Sequence, residues 1–144
     1  MVSEYAKKPK EERPLMIEVQ SSEGWIPIGD FGLFGIDWRI RAAELGIVIG
    51  EKEYWDKGFG TETVNLILDH GFKTLNFNRI SLRVFKNNHR AIRAYEKAGF
   101  MQEGILRQGH YHDRNHIDVI LMSILISDWK KLGRNLEAGG LHAG

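Results

Sequence analysis

A chain of 144 residues fits one domain and carries enough material for a hydrophobic core. With 20 basic and 19 acidic residues its formal charge is +1, so no global field draws it to nucleic acid or an anionic membrane. The absence of cysteine removes disulfides, thiolate catalysis and cysteine-type zinc sites, and fits a reducing cytoplasm.

Residues 1–14 are polar and lysine-rich, hold two of the three prolines, and read as a flexible arm without a secretory apolar segment. Leu15 to Val19 reads as a short strand, and Ser21 to Gly24 as a turn. Trp25 to Phe34 reads as a second strand with a bulge at Gly29-Asp30, followed by a connection over Gly35 to Arg41. Ala42 to Ile49 is almost continuously apolar, as expected of a strand covered on both faces.

Next comes Glu51-Lys-Glu-Tyr-Trp-Asp-Lys-Gly-Phe-Gly-Thr61, and then Val64, Ile67, Leu68, Phe72 and Leu75 at helical spacing, which predicts a helix over 61–75. A strand thus feeds a glycine-rich loop that opens a helix. Backbone N–H groups and the positive helix end converge there, which suits a phosphate, and a tight turn without a ligand explains the glycines equally well. No Gly-Lys-Ser/Thr follows, so it is not a Walker loop, and the third glycine of a dinucleotide fingerprint is missing.

Asn76 to Asn78 ends that helix, and Arg79 to Phe85 alternates as a strand, with Ile80, Leu82 and Val84 on one side. Asn88 is an N-cap type. Ala91, Ile92, Tyr95 and Ala98 form one helical stripe, and Gly99 is placed for a left-handed stop. Phe100 to Arg107 reads as a strand, Tyr111 to Asn115 as a hairpin loop, and His116 to Ile126 as a last strand. The glycine-containing stretch from Trp129 onward is expected to fray. The chain divides into an arm (1–14), a domain (15–130) and a flexible tail (131–144).

The spacing Val84-x-x-x-Asn88-x-x-Ala91-x-x-x-Tyr95-x-x-x-Gly99-Phe100, about thirty residues after Gly58-x-Gly60, resembles the GNAT superfamily of acyl-CoA-dependent N-acyltransferases. The ending Tyr111-His-Asp-Arg-Asn-His-Ile-Asp118-Val-Ile-Leu-Met122 is similar to the branch with ribosomal-protein alanine acetyltransferases and related amino-acid or antibiotic acetyltransferases. The resemblance covers roughly Ile17 to Trp129. It implies an α+β fold, a mixed and mainly antiparallel sheet flanked by helices and splayed at the cofactor site. It also implies acetyl transfer from acetyl-CoA to a primary amine, without a metal; a degenerate acyl-CoA-binding module is the alternative.

What the resemblance implies for single residues follows the same motifs. The coenzyme pyrophosphate is expected on Trp55, Asp56, Lys57, Gly58, Phe59, Gly60 and Thr61, with Trp55 standing where the family usually has Arg or Gln. The pantetheine arm is expected along Ile47, Val48 and Ile49, with Asn88 near the cofactor. Tyr95 is the candidate general acid, since a phenol with a pKa of about 10 is protonated at neutral pH; as a residue of an apolar stripe it also has a plain packing role. Glu44 is the candidate base, or a solvated strand residue. His110, His112 and His116 fit a solvated hairpin better than a metal site, and Tyr111 and His112 border the acceptor side in the family.

Family members usually place a strand and helices ahead of the strand at Leu15. Their shortness here suggests that the sheet around Ile47, Leu82 and Val84 lacks cover, and hence a homodimer or higher oligomer with its interface near the acyl group.

Overall fold

A computed structural model describes the backbone of residues 15–21, 24–49 and 59–133, and the side-chain environments of 30–47 and 60–133. Residues 1–14, the pyrophosphate-loop positions Trp55, Asp56, Lys57 and Gly58, and residues 134–144 lie outside them. Six strands, β1 (Leu15–Ser21), β2 (Gly24–Asp37), β3 (Ala42–Ile49), β4 (Arg79–Phe85), β5 (Met101–His112) and β6 (Asn115–Leu125), form one sheet in the order β1-β2-β3-β4-β6-β5. Among the described residues the α-helices are α1 (Phe59–Asp69), α2 (His89–Ala98) and α3 (Ile126–Lys131). The architecture is the expected α+β type. β3 and β4 run parallel, joined through α1, and the other described strand pairs are antiparallel.

The helical spacing of Val64, Ile67, Leu68 and Phe72 is realised as burial: all four are at most 1% exposed. They pack with α2 and with one face of the sheet, where Leu45, Leu82, Val84, Ile120, Met122 and Ile124 meet them. α1 ends in a wide π-helical turn over His70–Thr74, in which the Leu75 N–H reaches the His70 carbonyl at 3.1 Å, and Asn76 stops it at φ +60°.

α2 follows its sequence signals closely. The Asn88 side chain accepts the Ala91 N–H at 3.3 Å, capping the first turn. Gly99 closes the helix at φ +110°, with its N–H on the Tyr95 and Glu96 carbonyls.

Several expectations need correction. The β1–β2 register slips beside Gly29, passing over Ile28, so the bulge lies next to Gly29-Asp30. β2 runs on through Asp37, which shortens the expected connection to a turn at 38–41. The β5–β6 hairpin turns on Asp113 and Arg114, both with positive φ, rather than on a five-residue loop. The fraying expected from Trp129 fails at its start: α3 carries Trp129 fully buried, its ring 5.3 Å from that of Phe72. Leu82 (2% exposed) and Val84 (5%) are covered by the chain's own helices, so the bare patch that motivated an oligomer does not exist at those two residues.

Candidate active site

β3 and β4 pair over four residues, from Ala42 opposite Arg79 to Leu45 opposite Leu82. Beyond that point β3 continues to Ile49, held on its other side by β2, and β4 continues to Phe85, held by β6. The two parallel strands therefore separate. Ile47, Val48 and Ile49 lie on one bank of the gap and Arg83 to Phe85 on the other. Backbone amides of β3 that would have bonded β4 are left without that strand partner, which is what a ligand carrying amides and a carbonyl requires.

Tyr95 reaches the core from the helix side. It is 5% exposed and meets Phe100 edge-on at 5.8 Å. Burial pushes its phenol well above the ordinary value of 10.0, so the hydroxyl stays protonated throughout the physiological range. Proton donation and packing are thus compatible roles for one side chain.

Glu44 lies on the opposite face, in register with Ser81 on β4 and, through it, Ser123 on β6. Its carboxylate pairs with Arg83, Nε to Oε1 at 3.1 Å. Arg83 is the first β4 residue past the last β3–β4 pair, so this ion pair stands at the mouth of the gap. A second pair lies across the sheet. Arg79 donates through both terminal nitrogens to Glu103, at 2.9 Å for Nη1 to Oε2, and Ser123 Oγ donates to the same Oε2 at 2.9 Å. The hydrogen bonds from Arg79 hold the Glu103 carboxyl below its usual pKa. Glu44, Arg79, Arg83 and Glu103, with Ser81, Leu82 and Leu121, line a depression of about 190 Å³.

The remaining candidates are scattered. Phe59 opens α1, Gly60 is buried in its first turn and Thr61 is half-buried. Asn88 sits at the start of α2, beyond the end of β4. His110 stacks on Phe85 at 4.1 Å, His112 pairs with Asp113, and Tyr111 leans on His116. Sequence reasoning missed Arg83, Arg79 and Glu103. The alternation of β4 marked Arg79 and Arg83 as a row facing away from Ile80 and Leu82, but nothing local indicated which carboxylates would meet them.

The family model of the acetyltransferase (GNAT) domain matches residues 2–101. The chain belongs to the GNAT acetyltransferase family. An uncharacterized N-acetyltransferase of Bacillus subtilis, YoaA, is 30% identical over 87% of this chain and 70% of its own length. The spermidine N(1)-acetyltransferase of Vibrio cholerae is 36% identical over 71% of this GNAT chain and 58% of its own length, so the chain spans little more than half of that relative. The crystal structure of the Vibrio cholerae spermidine N-acetyltransferase in complex with CoA and spermine matches with a TM-score of 0.73, at 33% identity, over 84% of this chain and 69% of that one. Acetyl-CoA is the co-substrate of such a GNAT acetyltransferase domain. The acetyl donor and the N-acetyltransferase class anticipated from the motifs agree with these relatives, and the degenerate-module alternative is not favoured.

Proposed function

We propose that this domain transfers the acetyl group of acetyl-CoA to a primary amine that enters from the Glu44 face of the sheet. The observation that carries the reading is the gap between β3 and β4, with the Glu44–Arg83 pair at its mouth and Tyr95 in the buried cluster on the helix side of the sheet. In this reading Glu44 orients the amine and takes its proton, directly or through water, as the nitrogen attacks the thioester carbonyl. An unpaired β3 amide near Ile47 or Val48 steadies the oxyanion. Tyr95 gives its proton to the departing thiolate and is restored from solvent. Phe59, Gly60 and Thr61, together with Trp55 to Gly58, receive the pyrophosphate, and Asn88 adds a contact beyond its cap.

Relatives named for spermidine put polyamines on any acceptor panel. A homo-oligomer is retained as a proposal, supported by exposed apolar side chains such as Trp38 and Ile40. The test is thiol release from acetyl-CoA against polyamines, amino acids, peptides and aminoglycosides. Turnover on at least one amine is expected. Tight acetyl-CoA binding with no turnover on any of them overturns the proposal in favour of a binding module.

A further inference from the structure

Two glycines face each other across β2 and β3. Gly32 is in register with Gly46, and Phe34 with Glu44, so by strand alternation all four lie on the Glu44 face of the sheet. The bare stretch over Gly46 is filled from β2. A Cβ at Gly46 would lie 2.9 Å from Phe34 Cε1, so the ring occupies the space that a side chain there would take. Such a diagonal reach across an antiparallel pair is within the span of an aromatic side chain. Directly after Phe34 the β2–β3 register shifts, with Gly35 at φ +60°, and a bulge of this kind re-aims the side chain beside it. The ring remains 40% exposed.

Gly46 is the first β3 residue past the last β3–β4 pair, Leu45 opposite Leu82, so the gap closes just before it. In the proposed reaction the acyl carbon lies in this gap, with its oxygen towards a β3 amide near Ile47 or Val48. An acyl chain running towards the closed end soon meets paired backbone. It then has to leave the plane of the sheet. On the helix side Leu45 and Leu82 belong to the packed core, which has no room for it. On the other side the outlet passes over Gly46, beside the Glu44–Arg83 pair, and the Phe34 ring stands in it. An acetyl methyl needs no outlet. A butyryl chain does.

Resting on the proposed acetyl transfer, we infer that Phe34 is a specificity-determining residue for the acyl donor: its ring, laid over Gly46, restricts the transferred group to the size of acetyl. Covering a glycine would be reason enough for the ring in a purely structural role, and the two roles differ in what they do to longer donors.

The test compares acetyl-CoA, butyryl-CoA and hexanoyl-CoA as donors for the wild-type chain, Phe34→Leu and Phe34→Ala, with each amine that the wild type acetylates. The wild type should favour acetyl-CoA over butyryl-CoA by about tenfold or more in kcat/KM, the scale on which a fitted apolar site discriminates by a methylene. In Phe34→Ala that ratio should collapse towards parity because butyryl-CoA and hexanoyl-CoA gain, and Phe34→Leu should fall between. A wild type that uses butyryl-CoA as well as acetyl-CoA overturns the inference. So does a Phe34→Ala protein in which every donor falls by the same factor, which is the result that lost packing alone would give. Calorimetric titration with coenzyme A, acetyl-CoA and butyryl-CoA gives a readout without an acceptor. Coenzyme A should bind all three proteins alike, while the wild type binds acetyl-CoA more tightly than butyryl-CoA and Phe34→Ala loses that difference. This outcome supports the assignment even if no amine is turned over and the acyl-transfer reading fails, and equal binding of the two thioesters by the wild type contradicts it.

Discussion

Tyr95→Phe removes one oxygen from a ring that is 5% exposed and leaves its edge-on contact with Phe100 in place. The packing is therefore nearly constant and the perturbation is chemical. General acid catalysis contributes about 10²- to 10⁴-fold. The lower figure corresponds to about 2.7 kcal/mol of transition-state stabilisation, so kcat should fall about 100-fold or more while acetyl-CoA affinity holds. Loss of a buried hydroxyl's hydrogen bond costs about 1 kcal/mol, which for a chain of this size is a melting shift of about 2–4 °C, too small to account for such a rate. Because burial raises the phenol's pKa above 10.0, the wild-type rate should show no alkaline decline from Tyr95 as pH rises from 7 to 10. Thiol release under single-turnover conditions, where chemistry is observed directly, is the assay. A rate within twofold of wild type refutes the proton-donor role and leaves Tyr95 a core residue.

Gly99→Ala should lower stability in urea by about 1–3 kcal/mol, since φ is +110° and a Cβ would come 2.6 Å from Leu132 Cδ1 and 3.1 Å from Ile124 Cδ1; an unchanged midpoint would mean that α2 does not need this closure. Trp129→Ala should cost about 3–5 kcal/mol because the side chain is fully buried against Phe72, and a loss below 1 kcal/mol would mean that α3 contributes no core. Glu103→Gln should lower stability at pH 7 by about 0.2–1 kcal/mol, the range for a solvent-exposed ion pair. The sign follows from the lowered carboxyl pKa: the stabilisation is complete above the unfolded value of 4.5 and lost as pH falls through the lower folded value, so wild type and variant should converge in acid. A gap that persists at low pH would assign the effect to packing.

Much of the helix side was legible because its signals are local. Asn88 and Gly99 mark the ends of α2 by cap chemistry, and the buried rows of α1 and β4 follow periods of 3.6 and 2. The β3–β4 gap was anticipated from the family resemblance, while its mouth was not. Alternation along β4 says which residues share a face, but not that β6 inserts between β4 and β5 and brings Glu103 to Arg79 over Ser123. Such cross-strand partners are set by non-local register, for which one sequence carries no period. Trp129 was missed for a related reason. α3 has six residues, too few to show a stripe, and its tryptophan is placed by Phe72, more than fifty residues earlier.

The most direct test of the central claim is a crystal structure of the chain with coenzyme A bound. The account predicts pantetheine amides bonded to the β3 backbone at Ile47 to Ile49, the sulfur in the gap between β3 and β4 within hydrogen-bond reach of the Tyr95 hydroxyl, and the Glu44–Arg83 pair facing that sulfur from the other side. Coenzyme A bound elsewhere on the sheet, or a sulfur out of reach of Tyr95, would contradict it.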